Sequence, residues 1–194
     1  PLASGVLPIC LGEATKLSQF LLDSDKAYEA QVTFGVSTAT GDSEGEVLAQ
    51  KNAAHLLQEN VSIALAGFVG DIQQTPPMYS ALKVDGQPLY KLARQGKEVE
   101  RKPRPVTIRS AELNRFSPGE AATADIDVVC SKGTYIRTLS EDLATSLDLP
   151  GHMSALRRTA TGPFDLAQAV TLETLIAVAE TEGEDALDRF LIDP

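Results

Sequence analysis

Few kinds of side chain in this sequence can do chemistry. The two histidines, His55 and His152, and the two cysteines, Cys10 and Cys130, lack the spacing of a metal site. No GxGxxG, phosphate-loop, HExxH or GxSxG pattern occurs. Metal hydrolysis and Ser-His-Asp catalysis are therefore poor matches. His55 reads as a surface or packing residue in a helical phase, and His152 as a loop residue. Chemistry has to rest on carboxylates, tyrosine, arginine and lysine. The segment Ser131-Lys-Gly-Thr-Tyr-Ile-Arg137 gathers three of these types where a strand, a tight turn and a helix start meet. Tyr135 and Arg137 point the same way if that stretch is extended. Arg137 can then hold a carboxylate or a phosphate through two parallel bonds. The segment alone suits a structural ion pair equally well.

The elements that position these residues follow from periodicity. Tyr28, Ala30, Val32 and Phe34 alternate with polar residues, which reads as a half-buried strand. From this alone Tyr28 is a core tyrosine. Gly41-Asp-Ser-Glu-Gly45 breaks the chain. Leu57, Val61, Leu65 and Phe68 recur at helical spacing, predicting a helix over about 52–67. Thr75-Pro-Pro77 ends regular structure, and a polar, basic stretch runs from Met78 to Arg104. One short helical phase, Leu89, Leu92 and Ala93, interrupts it. Strands resume at Val106-Thr-Ile108 and at Ala124, Ile126, Val128 and Cys130. Thr138-x-x-Glu141 reads as a capping box before Leu139, Leu143 and Leu147, and a further helix is expected at about 172–182. The order predicts an α+β fold with a mixed, largely antiparallel sheet flanked by helices.

Composition sets the outer limits. The chain has 194 residues, 43% hydrophobic and 23% charged, which suits one globular domain or one with an appendage. The longest mostly apolar run, Val61 to Gly70, is about half of the ~20 residues a bilayer span needs. No transmembrane helix and no signal peptide are expected, and the opening Pro1-Leu-Ala-Ser-Gly5 reads as an interior piece of a longer product. The cysteines read as two buried free thiols. Net charge is −10, which argues against a simple nucleic-acid binder. Between Lys83 and Arg109, however, eight basic residues face three acids. Such a stretch on an acidic body is a local polyanion site or a solvated surface.

Several segments together resemble the TruB-type tRNA pseudouridine synthases. Pro1-Leu-Ala-Ser-Gly-Val-Leu-Pro8 with Gly12-Glu-Ala-Thr-Lys16 is similar to the family's catalytic loop and the helix after it. Ser24-Asp-Lys-Ala-Tyr28 is similar to its KxY motif, and Thr75 through Gly96 to its RNA-gripping insertion. Lys132-Gly-Thr-Tyr-Ile-Arg-Thr-Leu139 matches its arginine motif, and Leu156-Arg-Arg158 a later active-site segment. The five motifs occur in order along nearly the whole chain. Ser4 stands where the family usually has threonine.

The resemblance implies a pseudouridine synthase fold over residues 1–194, with the insertion at 71–104. It implies isomerisation of uridine to pseudouridine at position 55 of the tRNA T loop, without metal or cofactor. The catalytic aspartate would immediately precede Pro1, so catalysis is not expected from the chain as it stands, and Arg137 would be a cation without its carboxylate partner. The family's first strand, its histidine-bearing loop and its C-terminal PUA domain are likewise expected to be missing. Tyr28 would stack on the flipped base, with its phenol available for proton removal at C5. Tyr135 and Leu156 would wall the pocket, and Lys16 and Lys26 could meet phosphates or remain solvated. Met78, Tyr79, Lys83, Tyr90, Arg94 and Arg104 would grip the T arm, in a loop mobile without RNA. A cytoplasmic monomer with tRNA as partner and no membrane contact is expected. The competing readings are a non-catalytic tRNA-binding or folding module and, ranked lower, a relative acting in a guide-RNA particle.

Overall fold

The computed structural model describes residues 2–84 and 86–192. Pro1, where the catalytic-loop match begins, and Asp85, one of the acids in the basic stretch, lie outside them. In chain order the elements are β1 (Ser4–Gly5), a 3-10 turn over Gly12–Leu17, α1 (Ser18–Asp23), β2 (Lys26–Phe34), β3 (Val36–Thr38), β4 (Val47–Gln50), α2 (Gln58–Ala66) and β5 (Gly70–Gln74). Then follow β6 (Lys83–Val84), β7 (Gln87–Pro88), α3 (Leu89–Arg94), β8 (Arg104–Ser117), β9 (Thr123–Cys130), α4 (Ile136–Ser146), β10 (Gly151–Thr161), β11 (Phe164–Asp165), α5 (Leu172–Glu182) and a second 3-10 segment over Glu184–Phe190.

The alternation that begins at Tyr28 becomes β2, the middle of a sheet ordered β1-β10-β2-β9-β8-β5, with β11 added to β10. The pairings are antiparallel except β1 on β10. The fold is α+β with a mixed, largely antiparallel sheet, as the element order predicts. One face is apolar: Val32, Phe34, Ala124, Ile126 and Val128 are buried there, packed with Leu139 and Leu143 of α4 and Val61 and Leu65 of α2. The opposite face carries Glu29, Gln31, Asp125 and Asp127 and stays wet, the usual antiparallel solution.

Local signals mislead at several places. The α2 helix starts only at Gln58, because Leu57 is extended (φ −109°, ψ 149°) and Asn52 accepts the Ala54 N–H in a turn (2.8 Å). His55 lies in that turn, not on a helix. The Thr138–Glu141 capping box is not the start of α4. The helix begins at Ile136 behind an extended Tyr135, and Thr138 is buried inside its first turn. His152 is no loop residue: it is 7% exposed on β10, with Nδ1 2.7 Å from the Val36 carbonyl oxygen. Cys130 is buried as expected, but Cys10 is partly exposed. Among the described residues no helix is long and apolar enough to cross a membrane.

Candidate active site

The register of the sheet places the first group of candidate residues. Tyr28 lies opposite Arg158 on β10 and Val128 on β9, and Ala30 lies opposite Leu156. Tyr28 and Leu156 therefore share the apolar face, both partly buried against the core. Burial first, and the nearby Cys130 second, raise the Tyr28 hydroxyl above its ordinary value, while the positive charge of Arg158 pulls the other way. The net direction is upward, so the phenol is neutral at physiological pH. The Cys130 thiol is pushed up to about 11 by burial and is correspondingly inert.

Arg158 also fixes the N-terminal segment. Its Nε donates to the Val6 carbonyl (2.7 Å), and its own carbonyl accepts the Val6 N–H (2.8 Å). Gly5 makes this approach possible. Its φ is +104°, and a Cβ there would lie 2.1 Å from the Arg158 carbonyl oxygen. Gly5→Ala is expected to push the segment off β10 and cost about 1–3 kcal/mol, read as a lowered melting temperature. An unchanged melting temperature would show that the pairing of β1 with β10 contributes nothing.

Arg137 is not a cation without a partner. It projects from the first turn of α4 with its side chain 18% exposed. Nη1 donates to the Thr40 carbonyl (2.8 Å) and to Asp42 Oδ2 (3.3 Å), and Nη2 donates to the Tyr79 carbonyl (2.5 Å). A guanidinium this buried has to be compensated, and Asp42, its side chain 11% exposed, does so from the Gly41–Gly45 turn. That turn reaches the site because Gly41 and Asp42 run alongside Met153 of β10. Asp42 is itself held by the Thr40 hydroxyl (2.5 Å) and the Glu44 N–H (3.2 Å). The three bonds leave Nε–H and one Nη2–H of Arg137 without a partner among the described residues. That edge of a guanidinium can receive a second carboxylate side-on.

A second acid completes the cluster. Glu141 sits one helical turn beyond Arg137, and a Cβ on Gly41 (φ +72°) would lie 3.0 Å from its carboxylate. Burial and then Asp142 raise its pKa, while Arg137 and Arg101 oppose them. Arg101 comes from the returning limb of the basic stretch, bonding the Pro76 carbonyl (3.2 Å) and Glu98 (3.0 Å). Asp42 and Arg101 carry no motif of their own, and Glu141 only the capping-box pattern that α4 does not use. Only the i, i+4 spacing of Arg137 and Glu141 hinted at any of them.

The basic excursion folds into the β6–β7 ribbon and α3, with Leu89 buried beneath. Lys83, Arg94 and Arg104 are exposed, and Met78, Tyr79 and Tyr90 are half-buried. The Arg94 guanidinium stacks over Tyr90, 5.6 Å from the ring centre. Aromatic and cationic groups thus share one surface. Tyr79 reaches Arg137 through its carbonyl. Tyr135 is half-buried at the head of α4.

The two lysines behave differently from that surface. Lys26 donates to the carbonyls of Leu21 (3.1 Å), Leu22 (2.8 Å) and Ser24 (2.6 Å), closing the end of α1. All three of its hydrogens are thereby occupied, which removes it from the phosphate contacts. Lys16 is exposed and paired with Glu13. A depression of about 480 Å³ opens on the other side of the sheet, among Glu29, Asp125, Asp127 and Arg157. Its acidic lining does not suit a polyphosphate chain. Among the described residues no cluster of His, Cys, Asp and Glu could hold a metal ion.

Comparisons with known proteins point one way. A model described as "TruB family pseudouridylate synthase (N terminal domain)" matches residues 1–136, and one described as "tRNA pseudouridylate synthase B C-terminal domain" matches 137–194. The two matches meet inside α4, yet β2 from the first and β10 from the second pair in one sheet. The tRNA pseudouridine synthase B of Saccharophagus degradans is 55% identical over 192 residues, covering 99% of this chain and 61% of that protein. The protein of the same name from Pseudomonas aeruginosa is 57% identical, covering 99% and 62%. The chain thus spans about three-fifths of the length of these curated relatives. A crystal structure of a Cbf5-Nop10-Gar1 complex aligns with TM-score 0.70 and 27% identity over 97% of this chain and 46% of that one. An H/ACA RNP bound to a substrate RNA containing 2'-deoxyuridine aligns with TM-score 0.67 and 23% identity, over 97% and 44%.

Proposed function

Because the chain belongs to the TruB family of pseudouridylate synthases, we propose that the protein isomerises uridine to pseudouridine at position 55 in the T loop of tRNA. The C1′–N1 bond breaks, the uracil rotates and a C1′–C5 bond forms. C5 loses a proton and N1 gains one. The observation that carries this reading is the Arg137 guanidinium, held on three sides with its Nε edge open to a further carboxylate. A catalytic aspartate immediately ahead of Pro1 would use that edge and be kept ionised by it. As nucleophile or as base, a carboxylate suits both halves of the reaction.

The target uridine has to leave its stack, at a cost of about a few kcal/mol. Tyr28 and Leu156, on one face of the sheet, offer an aromatic and an apolar wall for the extruded base, with Tyr135 at the head of α4. The neutral Tyr28 phenol can stack and hydrogen-bond without adding charge. Residues 71–104 form the RNA-gripping insertion within one catalytic unit of residues 1–194. Lys83, Arg94 and Arg104 meet phosphates there, while Met78, Tyr79 and Tyr90 supply apolar and stacking surface. In this reading the protein acts as a cytoplasmic monomer on the T arm.

The test uses a T-arm stem-loop tritiated at uridine C5, where tritium release reports the new carbon–carbon bond. Release by the protein as its gene encodes it, and none by the stretch starting at Pro1, supports the synthase and its upstream aspartate. Binding without release by the gene-encoded protein overturns it in favour of a non-catalytic RNA module. Affinity for the stem-loop is expected to fall steeply with salt. Three phosphate contacts, from Lys83, Arg94 and Arg104, give a log–log slope of about −3, and a flat response would refute the assignment of the basic residues.

A further inference from the structure

Gln74 ends β5, directly before the insertion, and is 1% exposed. Both groups of its amide go to the main chain of one residue. Oε1 accepts the Tyr135 N–H (2.9 Å), and Nε2 donates to the Tyr135 carbonyl (3.1 Å). Only one orientation of the amide satisfies both bonds, and a buried amide is costly to leave unpaired. Tyr135 is the N-cap of α4, and its side chain makes no capping bond. The head of this helix is therefore held by a side chain 61 positions away in sequence.

Gln74 also marks the root of the insertion. Arg104, where the insertion returns, lies directly opposite it on β8. Five residues after Gln74, the Tyr79 carbonyl receives Arg137, two residues after Tyr135. The insertion thus attaches twice to the first turn of α4, at its root through the Gln74 amide and within its first limb through Tyr79.

We propose that Gln74 is a positioning residue that sets Arg137 and the RNA-gripping insertion in one fixed relation through its two bonds to Tyr135. RNA seated on the insertion is then aligned with the guanidinium. The proposal rests on the reading above, in which Arg137 serves the isomerisation.

Gln74→Met keeps the volume and removes both bonds. In the gene-encoded protein, single-turnover tritium release at saturating stem-loop is expected to slow by about thirtyfold, since a misplacement near 1 Å costs about that or more. Stem-loop affinity should change by less than about threefold, because the lost bonds go to the Tyr135 main chain and the side chains of Lys83, Arg94 and Arg104 stay exposed for phosphate. Amide exchange at Tyr135 and at Leu139, whose N–H donates to the Tyr135 carbonyl (3.0 Å), measured without RNA, should rise by about tenfold while the rest of the sheet keeps its protection. Turnover within twofold of the parent, or unchanged exchange at Tyr135, overturns the proposal, as does a parallel loss of rate and affinity.

If Gln74→Met does not fold, Gln74→Glu decides. A protonated buried carboxyl can donate and accept as the amide does, and burial raises its pKa. Its rate relative to the parent should be near one at about pH 6 and fall by about pH 8 as the donor is lost. A ratio that stays level overturns the proposal. An inactive parent would overturn the synthase reading instead, and Tyr135 exchange would still decide the role of Gln74.

Discussion

Arg137→Ala is expected to abolish turnover, by about a thousandfold or more, the loss seen when a preorganised charged donor is removed from an active site. Two effects coincide. The substitution removes the open Nε edge that receives the catalytic carboxylate in the proposed reaction. It also strands Asp42, whose side chain is 11% exposed, without the cation that compensates it. Breaking a buried pair costs about 3–5 kcal/mol, so the melting temperature should fall as well. Stem-loop affinity should fall by less than about tenfold, because the exposed cations Lys83, Arg94 and Arg104 supply the phosphate contacts. Arg137→Lys separates charge from geometry. A lysine keeps the cation but cannot hold the Thr40 and Tyr79 carbonyls, Asp42 and a second carboxylate together. It should recover stability more than rate. Near-normal tritium release by Arg137→Ala would remove Arg137 from the chemistry.

Local patterns place Tyr28 on a strand and Arg137 at a helix start, while the site roles expected of both rest on the family resemblance. Tyr28 is one of four apolar positions in strict alternation, and the strand appears where that alternation puts it. The segment ending at Arg137 combines a turn and a helix start within seven residues. The partners of these residues arrive through the fold. Asp42 sits in a turn that resembles any polar break, and becomes an ion-pair partner only because that turn runs alongside Met153. The β10 strand that brings Met153, Leu156 and Arg158 is hard to read because two bulges interrupt its alternation, at Met153/Ala155 and Arg158/Ala160. The start of α4 is misread for a related reason: its cap comes from Gln74 on another strand, while Thr138 and Glu141 imitate a local one. Lys26 misleads in the opposite direction, a lysine two residues before Tyr28 whose ammonium closes a helix end.

Asp42→Asn is the second large expected effect, and the sign of its outcome matters. Asparagine keeps an oxygen for the Thr40 hydroxyl and the Glu44 N–H, so the turn should survive. It loses the charge opposite Arg137, and the guanidinium then keeps only the Thr40 and Tyr79 carbonyls among its present partners. In the proposed mechanism Asp42 orients the guanidinium so that its Nε edge faces the reacting carboxylate. Losing that orientation should slow turnover about a hundredfold, with stem-loop affinity little changed, since misplacement acts on the rate. Stability should fall by about 1–3 kcal/mol, the cost of leaving a buried charged donor underbonded. An alternative arrangement predicts the reverse. If Asp42 competes with the catalytic carboxylate for Arg137, neutralising it frees the cation, and turnover should rise. Single-turnover tritium release by Asp42→Asn and Asp42→Ala separates the two. A decrease in both, larger for alanine, makes Asp42 part of the device that aims Arg137. An increase in either makes it a competitor for the guanidinium and overturns the orienting role.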